Sequence, residues 1–257
     1  MRSELLQLYD YELRSNPPQQ IGVRYEFAEG VLRARGPANW VFTRDLNPAD
    51  LDLIVSREAN LFRSLGEDVE WKIYGHEPCE DLPMRLAAHG FEAAETETLM
   101  FLDLARWRHE TAAPPGIQIR RVSDSQGLLD HIAVMVEAFG HVRPEMLQEL
   151  QRTCLAPDPI VFAYTACADE APIAAGRMES SPGYAFASIW GGCTVPAFRH
   201  QGIFRALVST RVDFARRRGH SYMAVDAADT SKPILERLGF WPMTTVTGWN
   251  LRAEKMK

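Results

Sequence analysis

Two stretches of this chain can be laid on one another. WKIYGHEPCEDLPMRLAAHGFEAAETETLMFLDL (71–104) and YMAVDAADTSKPILERLGFWPMTTVTGWNLR (222–252) each read as a strand, an acidic turn, a proline, a short helix, Gly-Phe and a closing strand. Ahead of them, a helix at 49–65 stops at Gly66 and a helix at 202–218 stops at Gly219. A repeat of this length is a domain-sized unit and not a short-period solenoid. It restricts the fold to two copies of one strand-and-helix body, and 257 residues are enough for two.

The second copy is the easier to read. Strands are expected at 117–122, 160–167, 172–179, 184–195, 221–226 and 244–251, and helices at 126–139, 145–154, 202–218 and 232–238. Asp124 or Ser125 can cap the first of these helices. Arg216, Arg217 and Arg218 place cations over the last carbonyls of the third, and Gly219 then tolerates positive φ. That makes the arginine run a helix stop on a solvated face before it makes it a nucleic-acid patch. TAAPPG (111–116) is small and proline-rich, and a linker is expected there, dividing the chain into domains 1–112 and 113–257.

Charge follows the same division. Residues 1–112 carry 12 Lys/Arg against 20 Asp/Glu, a net of −8, and 113–257 carry 16 against 14, a net of +2. The overall charge of −6 argues against a nucleic-acid partner. No apolar run reaches the roughly 18 to 20 residues of a membrane span, and MRSELLQLYD has no signal-peptide core. Cys79, Cys154, Cys167 and Cys193 form no CxxC pair and read as buried free thiols in a reducing cytoplasm, without a metal site.

The duplication fails at one place. With Gly66 set on Gly219, Leu46 falls on Arg199, Ala49 on Gly202, Asp50 on Ile203 and Asp52 on Arg205. The second copy is basic where the first is acidic. In TVPAFRHQGIFRALV (194–208) a strand hands over to a helix, whose first amides have no intrahelical partner and carry about half a positive charge. Phosphates bind there readily. Gly202 permits close backbone approach, and Arg199 and Arg205 add donors. Residues 203, 206, 207, 210 and 214 face a core, leaving 205, 209, 213 and 216 as the wet stripe. The spacing is neither GxxxxGK[ST] nor GxGxxG. On spacing alone this is a diphosphate cradle or a plain strand-to-helix turn with a surface arginine.

Pro196, Arg199, Gly202, Ile203, Ala206 and Leu207, read as P-x-x-R-x-x-G-I-x-x-A-L, resemble the acyl-CoA loop of the GCN5-related N-acetyltransferases (GNAT). PILERLGF (233–240) resembles that family's next signature. Phe204 departs from the pattern, where a small residue is usual. The resemblance covers 117–252, and 1–104 as a degenerate copy. It implies an α/β (α+β) fold with a mixed sheet, in two GNAT-like domains in tandem, with two neighbouring strands splayed at the loop. It implies acetyl-CoA held by Arg199, His200, Gln201, Gly202, Ile203, Phe204 and Arg205, with backbone amides near Cys193, Thr194 and Val195 facing the thioester. It implies direct attack by the amine of a small molecule or peptide.

The family's acid, a tyrosine before Gly-Phe, falls on Leu235, and the strand YAFASIWGGCTV carries no carboxylate. Glu137 and His141, at the exit of the first helix, are the candidate bases, though each also reads as an ordinary surface side chain. Cys193 reads as a buried thiol and not a nucleophile, and Trp190 and Phe139 as core and not substrate wall. The acidic first copy, expected to shape the acceptor cleft, hints at a cationic acceptor. A non-catalytic acyl-CoA-binding or sensing module is the alternative reading.

Overall fold

A computed structural model describes residues 2–108, 111–143 and 146–253. In chain order the elements are α1 (Arg2–Tyr9), β1 (Arg24–Ala28), β2 (Val31–Arg35), β3 (Trp40–Thr43), α2 (Leu51–Leu65), β4 (Val69–Tyr74), α3 (Leu82–Ala88) and β5 (Glu92–Asp103). Then follow β6 (Ile117–Arg121), α4 (Ser125–Phe139), α5 (Met146–Cys154), β7 (Val161–Ala168), β8 (Ala171–Glu179), β9 (Phe186–Thr194), α6 (Ile203–Arg217), β10 (Tyr222–Ala227), α7 (Lys232–Arg237) and β11 (Trp241–Leu251). The expected strands and helices of the second copy are all present, within two or three residues at their ends. Residue 145, the first of one expected helix, lies outside the described residues.

The chain forms two compact units, and the first is not a continuous segment. One is Met1–Leu99 with Met243–Lys257; the other is Met100–Pro242. The first unit orders its strands β1-β2-β3-β4-β11-β5, with β11, from the far end of the chain, antiparallel to β4. The second orders them β5-β10-β9-β8-β7-β6, and its share of β5 is residues 100–103. The expected boundary at 112/113 takes each half as one stretch, whereas the compact units divide after Leu99 and after Pro242. β5 is twelve residues long, roughly 40 Å of strand at about 3.3 Å per residue, and the division falls within it, between Leu99 and Met100. TAAPPG is a surface segment of the second unit: the Thr111 amide donates to Ser209 Oγ at 3.0 Å.

The repeat is visible in how the helices end. Gly66 and Glu67 donate to the carbonyls three and five residues back, those of Arg63 and Phe62. Gly219 and His220 do the same to Arg216 and Ala215. Gly90 and Phe91, and Gly239 and Phe240, repeat the pair on α3 and α7. Each is a Schellman stop, with its glycine at φ 66° to 89°. The aromatic that follows returns to the core: Phe91 and Phe240 are both buried.

Each unit packs its own core. Val31, Val41, Phe62, Trp71, Leu82 and Leu86 fill the first; Leu128, Val134, Leu150, Phe162, Leu207 and Met223 are among those that fill the second. Asp124, not Ser125, caps α4, accepting the Gly127 amide at 2.8 Å. Among the described residues no helix is long and apolar enough to cross a membrane.

Candidate functional site

In the second unit β9 and β10 run parallel, and their pairing covers three residues: Phe186, Ala187 and Ser188 against Tyr222, Met223 and Ala224. β9 continues to Thr194 and β10 to Ala227 beyond the last pair. The two strands therefore splay, leaving backbone groups of β9 without a ladder partner on that side.

β9 stays paired with β8 across a bulge. Ala175 faces Cys193 and Arg177 faces Trp190, so Gly176 alone opposes Gly191 and Gly192. The Val195 amide donates to Ile173 O at 2.9 Å. Antiparallel pairs alternate, so Cys193 also turns its backbone to β8, and Thr194 turns its own into the splay. Thr194 O accepts Arg199 Nε at 3.0 Å. Of the three amides expected near the thioester, those of Cys193 and Val195 thus belong to the ladder, and that of Thr194 points off it.

The bulge is glycine because side chains press on it. A Cβ on Gly176 would lie 2.8 Å from Arg211 Nη1, one on Gly192 2.8 Å from Phe204 Cε2, and one on Gly191 3.2 Å from Arg177 Nη1. Gly191 also has φ 58°. Arg211, on α6, is 1% exposed. It donates to Leu207 O at 3.0 Å and Arg177 O at 3.1 Å, and its Nη2 is buried without a partner. Burial holds its guanidinium down to about 10. Arg177 follows Gly176 along β8 and so points from the opposite face. On that side His131 of α4 is buried, with Nδ1 3.4 Å from Thr165 Oγ1 and Nε2 unpartnered. Burial first, then the Arg177 charge, pushes its imidazole down to about 4.

Beyond β9 a short 3-10 turn (Pro196–Phe198) leads to His200 at φ 64° and Gly202 at φ 86°. Gly202 is the left-handed N-cap of α6 and supplies no side-chain cap; the first bond of the helix is Ala206 N–H to Gly202 O at 3.1 Å. The amides of Ile203, Phe204 and Arg205 precede that bond and form the open end of the helix. Arg199, His200, Gln201 and Arg205 are exposed around it, and Gln201 Nε2 donates to Ala197 O at 3.3 Å. Ile203 is buried in the core. Phe204 turns inward over Gly192. The sequence pattern therefore brings Arg199, His200, Gln201, Gly202 and Arg205 to one helix end, with Thr194 tied to it through Arg199.

Of the remaining readings, those of Ser209 and Phe139 are changed. Ser209, expected on the wet stripe, is buried, because the 111–116 segment lies along this helix. Leu235 is 1% exposed and part of the core. Cys193 is buried and its thiol is pushed up to about 11 by burial, which keeps it protonated at neutral pH. Glu137 and His141 are exposed, in the last turn of α4 and one residue past its left-handed Gly140 cap. Neither has a hydrogen-bond partner among the described residues. Phe139, read as core, is 50% exposed. Sequence reasoning missed Arg177, Arg211 and His131. The available signal was the glycine pair 191–192 in one strand and Gly176 in its neighbour, which mark a bulge. Among the described residues there is no cluster of metal-ligating side chains.

Residues 131–240 match the model of the Acetyltransferase (GNAT) family. No curated protein matches the chain. Several solved structures share its fold at low identity. A GCN5-related N-acetyltransferase from Kribbella flavida is 15% identical, with 99% of this chain and 95% of that one covered at a TM-score of 0.71. A tandem GNAT protein from the clavulanic acid biosynthesis pathway is 14% identical, with 100% and 96% covered at 0.62. A GCN5-related N-acetyltransferase from Sphaerobacter thermophilus is 14% identical, with 97% and 84% covered at 0.63. Residues 131–240 thus match the acetyltransferase (GNAT) family, and over nearly its whole length the chain shares the fold of solved GCN5-related N-acetyltransferases, a tandem GNAT protein among them.

Proposed function

We propose that the second unit transfers an acetyl group from acetyl-CoA to an amine of a small molecule or peptide. One observation carries the reading: a strand that leaves its parallel neighbour after Ser188, bulges at Gly191–Gly192, and delivers an uncapped helix end at Gly202. Arg199, His200, Gln201, Gly202 and the amides of Ile203, Phe204 and Arg205 would hold the diphosphate. Thr194 would offer its backbone to the pantetheine arm, between Cys193 and Val195. Phe204 walls that arm where the family pattern has a small residue. When bound, the thioester supplies an activated acyl carbon. The amine attacks it, the new C–N bond forms as the C–S bond breaks, and the amine proton leaves. Positioning two reactants in one complex supplies much of the rate.

Glu137 and His141 border the exit of α4 and are the proposed proton acceptors. Leu235 gives the departing thiolate no proton, so solvent must. The first unit is proposed to be a degenerate copy without a CoA site. Four buried free cysteines suit a reducing, cytoplasmic setting. The test is thiol release from acetyl-CoA across a panel of amines, with CoA affinity measured alongside. Binding and turnover support the reading. Binding without turnover on any amine replaces it with an acyl-CoA sensor.

A further inference from the structure

We propose that Arg177 receives a carboxylate carried by one of the two reactants, the acceptor amine first among them. This rests on the transferase reading. Arg177 is half-buried on β8, and its guanidinium lies against Gly191, at the bulge where β9 has left β10. Its side chain makes no hydrogen bond and no ion pair among the described residues. Glu179, two residues along on the same face, forms no ion pair with it. The charges of Arg177 and of Arg211 both hold the His131 imidazole neutral.

A half-buried cation without a counterion is costly. This chain makes room for it twice over, since Gly191 clears its path and Arg211 fixes its carbonyl. Elsewhere in the chain partly buried arginines meet carboxylates: Arg33 with Glu58 at 2.5 Å, Arg143 with Glu149 at 2.9 Å, and Arg14 with Glu77. Arg177 lacks that partner at the point where the amine and the thioester would meet. A planar guanidinium there matches a carboxylate in two-pronged geometry. The acidic composition of residues 1–112 hints at a cationic acceptor; the local chemistry at the bulge points to one that is also anionic, as an amino acid is.

Two sources can bring the carboxylate, and two matched pairs separate them. The first pair is an α-amino acid and its amide, each with acetyl-CoA. The second is succinyl-CoA and acetyl-CoA, each with a neutral amine. The ratio of kcat/KM within a pair is compared between the wild type and Arg177→Met, which cancels the different basicities of the amines. The wild type is expected to favour the carboxylate member of one pair by roughly 10- to 100-fold, the range of a charge-assisted contact. Arg177→Met is expected to abolish that preference and Arg177→Lys to keep part of it. Equal rates within both pairs in the wild type, or a preference that survives Arg177→Met, overturn the inference and leave the transferase reading standing. CoA binding with no transfer to any member of either pair overturns both. If Arg177→Met does not fold, the wild-type ratios decide alone.

Discussion

In the first unit β3 stops at Thr43, one residue past its last partner on β4; in the second, β9 runs six residues past its last partner on β10. The helices that follow are both fifteen residues long and end in the same Schellman stop. Their beginnings differ. α2 is preceded by a 3-10 turn (Pro48–Asp50) that Asn47 caps through the Ala49 amide at 3.2 Å, and Asn47 also donates to Asp50 at 2.7 Å. Asp52 then meets His89 at 3.2 Å and Arg85 at 3.5 Å. α6 begins at a bare left-handed glycine. The helix stops, which serve packing, stayed alike in both copies. The starts, one of which is the proposed anion site, differ.

The comparison breaks most sharply if the bulge is removed. Deleting Gly191 moves Cys193 and Thr194 to opposite faces, because a one-residue slip inverts a strand. CoA affinity is expected to fall by at least about 100-fold, close to 3 kcal/mol, read by calorimetry. Retained affinity would separate the bulge from the ligand.

A second contrast is in buried charge. The first unit pairs Arg33 with Glu58, while the second leaves His131 with an unpartnered Nε2. The His131 pKa is about 4 folded against about 6.5 unfolded. Between those values the unfolded state binds the proton and the folded state does not. Stability is therefore full above about pH 6.5 and falls as pH drops toward 4, by up to about 3 kcal/mol. His131→Gln is expected to flatten that slope in denaturant unfolding at pH 7 and pH 4.5. An unchanged slope would assign the acid sensitivity to other groups.

Gly202→Val tests the helix start itself. At φ 86° a branched residue is strained by about 1–3 kcal/mol, and CoA binding is expected to weaken by roughly 5- to 150-fold. The matching Ala49→Val in the first unit is expected to leave CoA binding unchanged and to alter stability by about 0.5 kcal/mol at most. Equal effects of the two would erase the contrast.

The smallest effect is at His141. The acceptor amine must lose a proton, and a lysine-like amine titrates near about 10.4. kcat/KM is expected to rise through pH 8, and His141→Gln to lower it only a few-fold, since the imidazole is exposed. A pH profile that superimposes on the wild type removes His141 from the mechanism and leaves Glu137 as the next candidate.

Much of this was legible in the sequence. Gly66, Gly90, Gly219 and Gly239 announce helix stops that depend on three or four adjacent residues, and such local signals survive without tertiary knowledge. The basic loop at Arg199–Arg205 is local in the same sense. The exchange of strand ends was not legible, because pairing of β11 with β4 joins residues some 180 positions apart, and either strand pattern fits either unit. Arg211 was not legible either. It sits between Thr210 and Val212 on a helix whose apolar stripe is complete without it, and its burial depends on the space that Gly176 and Gly192 leave in two other strands. Ser209 was misjudged because the segment that covers it lies 98 residues away.

The central claim is that one junction of the two binds the cofactor. Calorimetric titration of the whole chain with CoA tests it directly. The account predicts one site per chain, lost or much weakened in Gly202→Val and untouched in Ala49→Val. Two equivalent sites, or a single site that Gly202→Val leaves at full strength in a folded protein, would contradict it.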